Sequence, residues 1–78
     1  MGVEMKIGPV KTEKLLKALY KLGFRPVRQR GSHLILKNQM GRMMVVPMYK
    51  EIKPRLVRVI ISELGITREK FLELLEDP

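Results

Sequence analysis

The chain has 78 residues, no cysteine and one histidine, with 16 Lys/Arg against 8 Asp/Glu and a formal net charge of +8. At this length one domain with a modest core is expected, and a deep pocket around a large cofactor would consume most of that core. The missing cysteines exclude disulfide frameworks, thiolate zinc sites and thiol nucleophiles, and no apolar run approaches the roughly 20 residues of a membrane span.

The charge is unevenly spread. Residues 5–58 carry 14 Lys/Arg against Glu13 and Glu51, whereas residues 59–78 carry Arg68 and Lys70 against five acids. A small basic body with an acidic end points to a polyanionic ligand. The N-terminus has no signal-peptide pattern, and Lys6 removes the myristoylation motif after Met1-Gly2. Met5 is an alternative start. A cytoplasmic protein is expected.

Residues 1–11 lack periodicity, contain Gly8 and Pro9, and are expected to form a flexible arm with Val10 reaching the core. Residues 12–78 are read as a single domain. Thr12 is a candidate helix cap, and Leu15, Leu16, Leu19 and Leu22 recur at the spacing of one apolar helix face. Lys14, Lys17 and Lys21 fall opposite, and Gly23 is a natural stop. A helix over 12–22 is predicted. Residues 24–30 read as an extended segment that Pro26 places at a sheet edge.

Gly31-Ser32 supplies a turn. His33 to Lys37 alternates, with Leu34 and Leu36 on one face and His33, Ile35 and Lys37 on the other. Asn38 to Gly41 is a hairpin loop, and Arg42 to Val46 a third strand ended by Pro47. Met48 to Lys53 is a connection. Pro54 opens a second helix with Leu56, Val57, Ile60, Ile61 and Leu64 on one stripe, ended by Gly65. Ile66, Thr67 and Phe71 match the hydrophobic staple of a short third helix. The order is α-β-β-β-α with a C-terminal helix added: an α+β domain with a three-stranded antiparallel sheet covered on one face by helices.

His33 is the first candidate for chemistry. A histidine titrates near pH 6.5, so at neutral pH it both accepts and donates protons. RNA cleavage without a metal needs a group to take the 2′-OH proton, a group to protonate the leaving 5′-oxygen, and cations for the phosphorane charge. His33 offers either proton role, and Arg28, Arg30 and Lys37 offer the charge. The competing reading is a half-buried strand histidine with a hydrogen-bond partner. Gly31 lets backbone approach a phosphate, and Ser32 can donate to it. The two also suffice as a plain turn. A serine nucleophile is not expected, since no second histidine or nearby carboxylate completes a triad.

The stretch from Lys11 to Leu75 resembles the HicA (YcfA-like) toxins of type II toxin–antitoxin systems. The matching segments are Leu15-Leu16 to Gly23-Phe24, Val27 to His33, Gly41-Arg42, Val45-Val46-Pro47, Lys50-Glu51-Ile52 and Leu64-Gly65-Ile66. Gly-Ser-His after a basic strand, followed by Val-Val-Pro at this spacing, is the specific part. The resemblance implies a double-stranded-RNA-binding-domain-like fold, mRNA cleavage, His33 as catalytic residue and a HicB-like antitoxin as partner. Members of that family often carry a second histidine after the Val-Pro, where this chain has Met48-Tyr49. Tyr49 is therefore an auxiliary candidate.

The cations of the first helix (Lys14, Lys17), of the strand turn (Arg28, Arg30, Lys37) and of the second helix (Arg55) are expected to converge on one RNA face, as that fold implies. Phe24 and Phe71 are expected in the core. Recognition by backbone and shape follows from the sparse aromatics. The methionines are read as core filler or an adaptable contact surface. One histidine and no cysteine make no common metal set, so neither a metal nor a cofactor is expected. A non-catalytic RNA-binding module of the same fold is the main rival reading. A structural or protein-interaction domain is the next.

Overall fold

The computed structural model describes residues 7–76. Its elements run β1 (Val10–Lys11), α1 (Thr12–Lys21), β2 (Arg25–Arg30), β3 (His33–Lys37), β4 (Met43–Pro47), β5 (Glu51–Ile52), α2 (Pro54–Leu64) and α3 (Arg68–Glu76). Strands β2-β3-β4 form an antiparallel meander, while β1 and β5 form a separate two-stranded antiparallel pair. This is an α+β domain with three helices, compatible with a double-stranded-RNA-binding-domain-like α-β-β-β-α arrangement.

The leucine spacing of α1 has the expected consequence. Leu15, Ala18 and Leu19 are fully buried. Leu15 and Leu19 share a core with Leu36, Met44 and Val46 on the inner sheet face, and with Val57, Ile60 and Ile61 of α2. Helices thus cover one sheet face only. Gly65 ends α2 in the left-handed region, at φ 69°, a conformation that costs glycine no Cβ clash. Thr67 caps α3 through its hydroxyl, which accepts from the Lys70 amide at 3.0 Å. Phe71, one turn on, is fully buried. Lys21 Nζ then donates to the Leu74 carbonyl at 2.9 Å, tying α1 to α3.

Three local readings change. Thr12 does not cap α1: the cap position is Lys11, with no side-chain cap bond. Thr12 is instead the first helical residue, and its hydroxyl donates to the distant Tyr49 carbonyl. The connection after Pro47 contains a strand, β5, too short for alternation to reveal. Within the stretch expected to be a flexible arm, Val10 reaches the core as expected but also pairs with Ile52, and Ile7 is buried too. The remainder of that arm, residues 1–6, lies outside the described residues, as do the last two.

Candidate functional site

Pleating decides which side chains share a face with His33. The register is Arg30↔His33 and Arg28↔Ile35 between β2 and β3, then His33↔Pro47, Ile35↔Val45 and Lys37↔Met43 between β3 and β4. Paired residues in an antiparallel ladder point to the same side, with Cβ atoms about 4.5–5.5 Å apart. His33 and Arg30 therefore share one row across the outer face, opposite the helices, and the row ends on Pro47, which is itself buried. Arg28 and Ile35 form the next row. A register shift between Pro26 and Arg28 absorbs Val27 and keeps Arg28 and Arg30 on this side. His33 itself is exposed.

The turn that presents His33 is a two-residue hairpin. Gly31 has φ 59°, and no described non-glycine residue has positive φ. Of the two turns suited to such hairpins, only type II′ needs positive φ at the first central residue alone. Gln29 Nε2 donates to the Gly31 carbonyl at 3.0 Å, and the Met48 amide donates to the Ser32 carbonyl at 2.6 Å. The second bond extends the ladder past Pro47 and holds the chain of Tyr49 beside the turn. From the other side, the Thr12 hydroxyl donates to the Tyr49 carbonyl and the Thr12 amide to the Lys50 carbonyl at 3.1 Å. Tyr49 is fixed by its backbone while its side chain remains 60% exposed.

An open groove of about 590 Å³ begins at this end of the sheet. Pro47, Tyr49, Ile52, Leu56 and Val59 give it apolar walls, with Glu51, Lys53 and Arg55 around them. Arg55 thus shares a groove with Pro47, the cross-strand partner of His33.

The other expected cations are more dispersed. Lys37 ends β3, about 13 Å along the strand from His33, so it serves a different phosphate from Arg30. Lys14 lines a groove with Leu72 and Leu75 of α3. Lys17 is on the exposed side of α1. Neither joins the His33 row. Arg25 is also diverted: its guanidinium donates to the Tyr20 and Phe24 carbonyls and lies 5.8 Å from the Tyr20 ring centroid. The groove forms where the end of β4 approaches α2, and no local pattern in the sequence marks that approach.

Among the described residues no helix is long and apolar enough to cross a membrane, and no group of three His, Cys, Asp or Glu stands together.

Comparison with known families matches residues 12–66 to the HicA toxin of bacterial toxin–antitoxin systems. The chain belongs to the HicA toxin family. Comparison with curated proteins gives no match. The HicA match spans more than half of the chain, from the first residue of α1 to the residue before the α3 cap. It therefore contains the β2–β3 turn, His33, the Tyr49 loop and α2. As a HicA toxin, the chain is the toxin half of a toxin–antitoxin pair.

Proposed function

We propose that this toxin is a metal-independent endoribonuclease that cuts mRNA, with His33 as its proton-transfer group. The observation that carries the reading is the Arg30–His33 pair on the outer sheet face, with His33 exposed at a glycine turn. In the proposed reaction the ribose 2′-oxygen forms a bond to the adjacent phosphorus. The P–O5′ bond breaks, leaving a 2′,3′-cyclic phosphate and a 5′-hydroxyl. Neutral His33 takes the 2′-OH proton, or protonated His33 gives one to the departing 5′-oxygen. The complementary proton is exchanged with water, because the chain has no second histidine.

Arg30 is the cation nearest the developing phosphorane charge, with Arg28 a row behind. Ser32, in the turn, is a donor to the same phosphate, and Gly31 keeps the turn free of a side chain. Lys37 and Arg55 bind flanking phosphates. Lys14 and Lys17 bind only RNA that also reaches the helix layer. Tyr49 occupies the position where related toxins often have a second histidine, in the loop held beside the turn.

The partner in this reading is a HicB-like antitoxin that covers the same face. Met43 and Val45 are about half exposed beside Ile35, with Arg28, Arg30 and Lys37 nearby. A partner with an apolar centre and an acidic rim complements that surface.

The chemistry is tested with an RNA strand carrying a single 2′-deoxy nucleotide at the cut site, in the presence of chelator. The reading predicts undiminished binding, no cleavage at that site, and cyclic-phosphate ends on the unmodified strand. Cleavage through the 2′-deoxy position contradicts it.

A further inference from the structure

The groove between the end of β4 and α2 adjoins the His33 row but has no part in the reaction proposed above. Pro47 belongs to both: it is the cross-strand partner of His33 and a wall of the groove. The lining opposite it is Leu56 and Val59 on α2, with Tyr49 at the mouth. Val59 is 45% and Tyr49 60% exposed, so apolar surface here is left for solvent or a ligand. Lys53 and Arg55 stand at the rim, at the N-terminal end of an 11-residue helix that has no side-chain cap. That end of α2 favours anions. Glu51 borders both this groove and the one beside Lys14.

These features select an occupant. A phosphate gains nothing from Leu56 and Val59. A planar base stacks on apolar and aromatic surface. The phosphate of the same nucleotide then meets Lys53 and Arg55. We propose that this groove is a nucleobase subsite. It holds one base of the bound strand next to the phosphodiester at His33, and so adds base recognition to binding otherwise made through the backbone. The proposal rests on the reading of this face as an RNA-cleaving site.

The test uses the full chain carrying His33→Ala, so that strands stay intact, and measures affinity by fluorescence anisotropy. One labelled ribose-phosphate hexamer has no bases; four others carry a single central A, C, G or U. The single base is expected to tighten binding by about 5- to 100-fold for at least one of the four. Val59→Gln, made in the same chain, should abolish that gain and leave the base-free strand bound as before. Val59 is 45% exposed, and thermal melts check that the variant remains folded.

Equal affinity for the base-free and all single-base strands overturns the subsite, as does a base gain that survives Val59→Gln. In the latter case the base lies elsewhere. Either failure leaves the cleavage reading standing, since that is scored on cyclic-phosphate ends. Failure of every strand to bind overturns the RNA reading itself.

Discussion

The buried hydroxyl of Thr12 donates to the backbone carbonyl of Tyr49, 37 positions later in the chain. This bond joins the first turn of α1 to the loop that borders the candidate site. Together with the Thr12 amide bond to Lys50, it uses the start of a core helix to fix a loop that lies between two strands. Thr12→Val keeps the shape and removes the donor. The Tyr49 carbonyl then loses its buried partner, which costs about 1–3 kcal/mol. Urea unfolding should show that loss, and hydrogen exchange should show faster opening at the Met48 and residue-12 amides with little change in α3.

Gly31 is a conformational requirement rather than a packing one. No heavy atom lies within 4 Å of where a Cβ would stand, yet φ is 59°. Gly31→Ala should therefore destabilise by about 1 kcal/mol or more through backbone strain alone. Because the turn positions His33, cleavage should fall further than the small stability loss explains. The comparison is rate against folded fraction, both measured at the same temperature.

Phe71 is the anchor of α3. It is fully buried in the shared core, although its helix carries three exposed glutamates on its other sides. Phe71→Ala should cost about 3–5 kcal/mol. For a domain this small that is a large part of total stability, so the melting temperature should drop sharply. Thr67→Ala, which removes the cap bond to Lys70, should cost only about 1 kcal/mol.

The charge distribution predicts a steep salt dependence. About six phosphate contacts give a log–log slope near −5 on duplex and near −4 on single strands. Arg30→Gln should make the slope shallower by about one contact and weaken all sequences alike. Lys14→Gln should leave the slope for a short strand unchanged, because Lys14 faces α3 rather than the His33 row. Anisotropy titrations at several salt concentrations measure both.

Much of this architecture was legible in the residue pattern. The leucines of α1, the alternation through β3, Pro54 at the start of α2 and the Ile66-Thr67-Phe71 staple each act locally, so the sequence carries their signal. Gly-Ser before His33 marked the turn for the same reason. What was not legible depends on packing between distant segments. A two-residue strand such as β5 has no periodicity of its own; Val10 across from Ile52 defines it. Thr12 has the residue type of a cap, and only the approach of Tyr49 redirects its hydroxyl. The expected convergence of cations fared unevenly for a related reason. Helix phase put Lys14 and Lys17 on the outside of α1 correctly, but phase does not reveal that α1 lies behind the sheet from His33. Arg30 and Arg28 share its face because ladder register fixes them there.

The central claim is that His33 transfers a proton during cleavage. It is tested most directly by comparing RNA cleavage by the wild-type chain and by His33→Ala, both in chelator and at equal RNA occupancy. The account predicts cleavage by the wild type, a rate lower by about 10²–10⁴-fold in the variant, and unchanged folding and RNA affinity. An undiminished rate in His33→Ala contradicts it.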